Sequence, residues 1–162
     1  YEAVNYYILE KLLSQFCAHA DCRSIVDRGC GKGRVMAVAA HYGFQRITGV
    51  EFAVELCEEA HRNLRRTEQK VPCFKWNIFH GHVLHYHIRQ DDSVFFLFNP
   101  FDGNTLSSFL SRLDESCQRF QRTTYFLYAN PEYGRVLEAR GYKLIYEVEV
   151  LNLQGAIFER PG

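Results

Sequence analysis

The feature that most constrains this chain is a short segment in which a strand pattern runs into alternating glycines and then into a helix pattern. Residues 25–34 read Ile-Val-Asp-Arg-Gly-Cys-Gly-Lys-Gly-Arg, and small apolar residues at helical spacing continue to Tyr42. Gly29, Gly31 and Gly33 allow a tight turn and let a ligand approach without meeting a Cβ. Free N–H groups at the helix start favour a carboxylate or a phosphate. The segment therefore predicts a ligand-binding loop.

The glycine spacing and a nearby acid indicate which ligand this loop binds. Dinucleotide-binding loops follow the spacing G-x-G-x-x-G, but Arg34 stands where that spacing requires a glycine. Asp27, two residues before the first glycine, would repel a pyrophosphate and attract an ammonium or sulfonium group. The loop therefore favours a ligand with an amino-acid end, such as S-adenosylmethionine, and disfavours a nicotinamide-dependent oxidoreductase.

A second candidate contact follows the next strand pattern, at Arg46–Val50. Glu51 stands directly after this strand and can accept both hydroxyl groups of a ribose, each charge-assisted hydrogen bond contributing about 1.5–3 kcal/mol. Phe52 can cover one face of an adenine ring. Taken alone, the glycines can form a tight turn and Glu51 can be an acid at a helix start. Together, in register with two strands, they favour nucleoside binding.

Strand and helix patterns alternate along the whole chain, beginning with an amphipathic helix within about residues 2–20. Strands are predicted at Ser24–Arg28, Arg46–Val50, within Phe74–Phe79, and at Val94–Phe98, Thr124–Tyr128, Leu144–Val150 and Ala156–Glu159. Asn130 and Pro131 have the chemistry of an N-cap and a first helical residue. The alternation and the closing hairpin predict one α/β domain, residues 1–162, with an open and mostly parallel sheet. Such sheets bind ligands at the carboxyl ends of their strands.

Composition and charge exclude several other classes of protein. Aromatic residues make up 15% of the 162 residues and the formal net charge is zero, which excludes a disordered chain. The longest apolar run, Val35–Ala40, has six residues, whereas a membrane-spanning helix needs about 20. The balanced charge argues against a nucleic-acid partner. The six cysteines form no C-x-x-C pair and, with no secretory signal, are expected to be reduced thiols of a cytoplasmic protein.

These motifs resemble those of the class I, Rossmann-like S-adenosylmethionine-dependent methyltransferases. The resemblance rests on residues 26–34, 47–52 and 96–101, and the opening residues 1–13 are similar to the family's lead-in helix. It is closest to small, mostly uncharacterised bacterial members with Gly-Cys-Gly-Lys-Gly-Arg and Asn-Pro-Phe. The resemblance implies a three-layer sandwich with a seven-stranded sheet whose last strand is antiparallel. It also implies methyl transfer to an unidentified small molecule or protein.

The resemblance further implies which residues contact the cofactor. They are Asp27, Gly29, Cys30, Gly31 and Gly33 around its methionine part, Glu51 and Phe52 at the ribose and adenine, and His82, Val83 and Asn99. The chain departs from the family at two of its positions. Arg28 replaces a residue that is usually apolar. His82 stands in place of an acid that recognises the adenine amine, and only a neutral histidine can accept that hydrogen bond. A helix expected between the third and fourth strands is also missing.

The segment Asn99-Pro100-Phe101, after the fourth strand, matches the position of the Asn/Asp-Pro-Pro-aromatic motif of amino-group methyltransferases. In that motif the first side chain and the next carbonyl accept hydrogen bonds from the target amine, and the aromatic ring packs on its plane. The resemblance thus implies that Asn99, Pro100 and Phe101 are catalytic residues acting on nitrogen, although the second proline is absent. Alternatively, the segment is a strand-ending turn. Asp102 beyond it can be a helix N-cap or a base.

Two further interpretations concern the histidines and a function without catalysis. His80 and His82, or His85 and His87, would share a strand face. Two ligands are too few for a closed zinc site, so no metal is expected. The departures at Arg28 and His82 leave open a non-catalytic nucleoside-binding regulatory subunit or a degenerate methyltransferase. The sequence leaves the oligomeric state open.

Overall fold

A computed structural model describes residues 1–21, 23–98 and 102–162 of the chain. The strands are β1 (Ser24–Arg28), β2 (Arg46–Glu51), β3 (Lys75–His80), β4 (Val94–Phe98), β5 (Thr124–Ala129), β6 (Lys143–Val150) and β7 (Leu153–Arg160). The α-helices are α1 (Tyr6–His19), α2 (Arg34–His41), α3 (Val54–Glu68), α4 (Gly103–Arg119) and α5 (Gly134–Ala139). None of the helices in these ranges combines the length and apolar character needed to span a lipid bilayer.

The seven strands form one sheet in the order β3-β2-β1-β4-β5-β7-β6. Strands β1 to β5 pair in parallel, whereas β7 lies between β5 and β6 and is antiparallel to both. The predicted α/β fold with an antiparallel last strand is therefore confirmed. Because β1 lies between β2 and β4, the strand order reverses at β1, and the carboxyl ends of these strands border a crevice.

Two apolar clusters cover the two faces of the sheet and make the protein a three-layer sandwich. Ile25 belongs to the same cluster as Leu9 of α1 and Met36 of α2. Its neighbour Val26 belongs to the other cluster, which contains Phe109 of α4. Adjacent residues of a strand point to opposite faces, so two consecutive apolar side chains on β1 serve two different cores.

The connection from β3 to β4 contains a single short 3-10 turn, Val83–His85, instead of an α-helix. The absence of a helix in this connection, inferred from the sequence, is thus confirmed.

Asp102 is the N-cap of α4, and its Oδ1 accepts a hydrogen bond of 2.8 Å from the Thr105 N–H. Its carboxylate therefore stabilises a helix start.

The predicted start of the last helix is wrong. Helix α5 begins at Gly134, and Tyr133 is its N-cap. Asn130 has a left-handed backbone with φ of 54° and donates its N–H to the Gln154 carbonyl at 2.8 Å. This bond ties the end of β5 to the β6–β7 hairpin, and the tertiary contact outweighs the local capping preference.

The cysteines follow the sequence expectation only in part. Cys30 and Cys57 are buried and free, whereas Cys73 is exposed. Cys17 is in a disulfide bond, so the expectation of a reduced thiol is wrong for that residue.

Candidate functional site

The loop after β1 is held against the end of β2 by backbone hydrogen bonds. The N–H groups of Gly29 and Cys30 both donate to the Val50 carbonyl, at 2.8 and 2.9 Å. Gly29, Gly31 and Gly33 all have positive φ, at 102°, 52° and 87°. Side chains other than glycine rarely adopt this conformation. The positive φ angles therefore explain why glycine stands at these three positions, as the tight turn predicted from the sequence requires.

Close packing adds a second reason for glycine in this loop. A Cβ on Gly33 would lie 2.7 Å from the Leu64 side chain of α3. A Cβ on Gly31 would overlap the ring of Tyr1, whose hydroxyl accepts a hydrogen bond of 3.4 Å from the Lys32 N–H. The N-terminal segment thus lies directly over the loop.

Glu51 connects the loop to the start of α3. Its Oε1 accepts a 3.0 Å hydrogen bond from the Gly31 N–H. Its Oε2 accepts bonds of 2.9 Å from the N–H groups of Phe52 and Ala53. Ala53, the N-cap of α3, has no capping side chain of its own. Glu51 therefore acts as the helix-start acid that the sequence left open, and only Oε1, which accepts a single bond, keeps a lone pair for a ligand.

Asp27 and Arg28 are adjacent on β1 and point to opposite faces of the sheet. Both are almost fully buried. The Arg28 guanidinium lies 3.7 Å from the centre of the Phe109 ring on the α4 side, and burial lowers its pKa to about 9. Burial, together with the smaller effect of the nearby Glu51 carboxylate, raises the pKa of the Asp27 carboxyl from 3.8 to about 8. The free-energy cost of ionising Asp27 thus comes from its burial and from the neighbouring negative charge of Glu51.

We expect Asp27 to make the protein less stable as the pH rises. The unfolded carboxyl ionises above its ordinary pKa of 3.8, while the folded one keeps its proton until about pH 8. The folded state therefore binds more protons in this window, and the free energy of unfolding decreases across it. Urea denaturation from about pH 5 to about pH 9 should show this decrease in the wild type and its loss in Asp27→Asn. Parallel curves for the two proteins would contradict the raised pKa.

A cavity of about 280 Å³ lies beyond the carboxyl ends of β1 and β2. Six of the predicted cofactor contacts line it, namely Gly29, Gly31, Glu51, Phe52, His82 and Val83. Tyr1, Glu2, Val50, Leu56, Gly81 and Phe98 complete the lining. The other three predicted contacts in the described residues, Asp27, Cys30 and Gly33, do not line it. The structure therefore brings together the glycine loop, the acid after β2 and the segment after β3.

His82 takes a role that the sequence did not predict. Its Nδ1 accepts a 3.1 Å hydrogen bond from the Leu84 N–H and so caps the 3-10 turn. An Nδ1 that accepts leaves the hydrogen of a neutral imidazole on Nε2, which then donates. While Nδ1 accepts this bond it has no free lone pair for an adenine amine, and contact of His82 with the cofactor stays a prediction.

The neighbouring histidines do not gather around a common point. The rings of His82 and His85 are 5.9 Å apart, and His80 Nε2 lies 3.0 Å from the Phe52 carbonyl oxygen. Among the residues that the structure describes, no group of three or more His, Cys, Asp or Glu side chains could hold a metal ion.

The candidate catalytic residues Asn99, Pro100 and Phe101 lie outside the described residues. The last described residue before them, Phe98, lines the cavity.

Sequence reasoning missed Tyr1 and Glu2, because no local pattern connects the N-terminus with a loop thirty residues away. Leu56 of α3 is half-buried and also lines the cavity.

No family model and no curated protein matches this chain at the sequence level. Solved structures do match its fold. An RNA methyltransferase from Salinibacter ruber in complex with S-adenosyl-L-homocysteine has a TM-score of 0.70 and 14% identity, and the match covers 99% of this chain and 93% of that chain. A SAM-dependent methyltransferase from Aquifex aeolicus has a TM-score of 0.71 and 14% identity, covering 93% and 88%.

A third match is magnesium protoporphyrin IX methyltransferase from Synechocystis PCC 6803 with bound SAM. Its TM-score is 0.67 at 10% identity, and the match covers 98% of this chain and 85% of that chain. At such identities the likeness concerns the fold alone. This chain therefore has the Rossmann-like fold found in these methyltransferases.

Proposed function

We propose that this chain, with the fold of the Rossmann-like methyltransferases, binds S-adenosylmethionine and transfers its methyl group to a small molecule or a protein. The observation that carries the proposal is the cavity beyond β1 and β2, where the glycine loop, Glu51 and the segment after β3 meet. Fold neighbours that hold SAM or S-adenosyl-L-homocysteine support it. The three parts of the cavity correspond in order to an amino-acid end, a ribose and a base.

The residues of the cavity fit such a ligand chemically. Nothing lies within 4 Å of the Cβ position of Gly29, so a ligand can approach the backbone there, whereas the Tyr1 ring lies at that position of Gly31. Phe52 is 73% exposed, so its ring is available to cover an adenine. Leu56 and Val83 supply further apolar surface for the base. Glu51 would accept a ribose hydroxyl at Oε1, where its three backbone hydrogen bonds leave one lone pair.

Asp27, once ionised, would attract the ammonium of the ligand. A cation bound nearby stabilises the ionised carboxylate and lowers its pKa. Since burial raises the pKa of Asp27 to about 8, binding near neutral pH would release a proton. The buried acid thus couples ligand binding to its own ionisation.

The catalytic part of the proposal concerns Asn99, Pro100 and Phe101. S-adenosylmethionine supplies an electrophilic methyl group on a sulfonium, so no nucleophilic side chain is required. These three residues follow β4, whose last residue Phe98 lines the cavity. The Asn99 side chain and the Pro100 carbonyl would accept hydrogen bonds from a nitrogen nucleophile, and Phe101 would pack on its plane. Orientation and exclusion of water then provide the rate enhancement.

A non-catalytic nucleoside-binding protein is the second candidate function. Both Glu51 oxygens already accept hydrogen bonds from backbone N–H groups, and His82 Nδ1 accepts one from Leu84. These groups therefore stabilise the protein itself. A degenerate methyltransferase that had lost catalysis would still retain such structural hydrogen bonds.

Methyl transfer from labelled S-adenosylmethionine separates the two candidates. The full chain is incubated with the methyl-labelled compound and with small-molecule and protein fractions of a cell lysate. We expect label in one fraction and its disappearance when excess S-adenosylhomocysteine is added. Binding of S-adenosylhomocysteine without label in any fraction would contradict catalysis and support the second candidate.

A further inference from the structure

A second cavity of about 490 Å³ lies beside the proposed cofactor cavity. It is bounded by the N-terminal segment, by the end of β5 and by the turn between β6 and β7. Glu2 and Phe98 line both cavities. A molecule in the second cavity would therefore lie next to the proposed methyl donor, which is the position that a methyl acceptor requires.

Several polar side chains of the second cavity are engaged in holding the protein together. Arg34 donates from Nη1 to the Val4 carbonyl at 2.7 Å, and its guanidinium lies 4.1 Å from the centre of the Tyr6 ring. Asn5 caps α1 by accepting a 2.8 Å hydrogen bond from the Tyr7 N–H. These groups are positioned by the fold and have part of their bonding capacity already in use.

Glu2 differs from them. Within residues 1–21, 23–98 and 102–162 its carboxylate has no hydrogen bond, and Arg34 of the same cavity does not form an ion pair with it. An ionised carboxylate at the junction of two cavities attracts a cation or an N–H donor. It also disfavours an anion at the same place. The cavity thus carries one charge of each sign, and only Glu2, not Arg34, also lines the proposed cofactor cavity, so the carboxylate is the charge nearest the methyl donor.

We propose that the second cavity binds the methyl acceptor, that this acceptor carries a cationic amine, and that Glu2 is the positioning residue that accepts its N–H bond. The inference rests on the proposed function. It adds a substrate class and a residue in the N-terminal segment, which no sequence motif singled out.

The transfer balances with Glu2 in this position. A bound ammonium first loses one proton through the Glu2 carboxylate to solvent, which Glu2 reaches because it is exposed. The freed nitrogen lone pair then forms the N–C bond to the methyl group. The C–S bond breaks with its electron pair on sulfur, which leaves a neutral thioether and a methylated ammonium. The net change is the release of one proton.

The charge preference of the cavity is measured with two aromatic probes of similar size and opposite charge. Benzylamine and benzoate are titrated by ligand-observed NMR into the full chain saturated with S-adenosylhomocysteine. We expect benzylamine to bind about tenfold more tightly than benzoate. This factor is the lower end of the range for a charge-assisted hydrogen bond, because Glu2 is exposed to solvent. Glu2→Gln should remove this preference, whereas Glu2→Asp should restore part of it. Glu10→Gln, an exposed acid on α1 outside the cavity, is the matched control and should keep it.

The affinity for S-adenosylhomocysteine, measured in the same samples, separates the two proposals. Absence of this binding contradicts the proposed function. Normal binding together with equal affinity for benzoate and benzylamine overturns only the inference about Glu2. A Glu2→Gln protein that keeps the preference for benzylamine also overturns it. If Glu2→Gln weakens S-adenosylhomocysteine binding tenfold or more, Glu2 belongs to the cofactor site and the inference is wrong.

Discussion

Gly31→Val is expected to abolish binding of S-adenosylhomocysteine while the sheet and its helices still form. Gly31 has φ of 52° and lies in the wall of the cavity, with the Tyr1 ring directly against it. A branched side chain would overlap the Tyr1 ring, displace this ring from its place in the cavity wall, and strain the turn. The strain costs about 1–3 kcal/mol. Isothermal titration calorimetry measures the loss of binding, and circular dichroism checks the fold.

Gly43→Val is the matched control for this prediction. Gly43 also has positive φ, at 98°, but it follows α2 and nothing lies within 4 Å of its Cβ position. Its substitution should lower the melting temperature by a similar amount, about 2–4 °C for each kcal/mol, and leave binding unchanged. Binding retained in Gly31→Val, or lost equally in both variants, would contradict close approach of the ligand to this loop.

Glu51→Ala is expected to weaken both ligand binding and folding. The substitution removes the acceptor of three backbone N–H groups, those of Gly31, Phe52 and Ala53. It also removes the proposed acceptor for the ribose hydroxyls. We expect the affinity for S-adenosylhomocysteine to fall by about 1.5–3 kcal/mol, or roughly tenfold to 150-fold. Calorimetry gives the affinity, and urea denaturation gives the free energy of unfolding.

Two further variants separate the ribose contact from the structural role of Glu51. Glu51→Gln keeps one acceptor oxygen and should lose less stability than Glu51→Ala, yet it lacks the charge that strengthens a ribose bond. Glu55→Gln, in the first turn of α3 and exposed, removes a nearby charge without touching the loop. It should leave the affinity unchanged. An unchanged affinity in Glu51→Ala would eliminate the ribose assignment and leave Glu51 as a helix-start acid.

The sequence predicted the framework of this fold because the framework is encoded locally. Val94–Phe98 has the predicted bounds, since five apolar residues between polar segments favour a buried strand. The glycine loop also follows from neighbouring residues, because its spacing reflects the positive φ of Gly29, Gly31 and Gly33.

The parts that the sequence did not predict depend on contacts between distant residues. Asn130 is a good local N-cap, but its bond to the Gln154 carbonyl holds it in a left-handed conformation before α5. His82 was expected to accept from a ligand, whereas its Nδ1 accepts from Leu84 in a short turn. Tyr1 and Glu2 reach the cavity because α1 packs on the sheet, a tertiary arrangement that no periodicity reveals.

The central claim is that the cavity between the glycine loop, Glu51 and the segment after β3 binds an adenosyl amino acid. Its most direct test is a crystal structure of the chain with S-adenosylhomocysteine. We expect the amino-acid end at Gly29 and Gly31, the ribose hydroxyls at the Glu51 carboxylate and the adenine beside Phe52. Density for the ligand at any other place on the protein, or no binding at millimolar concentration, would contradict the claim.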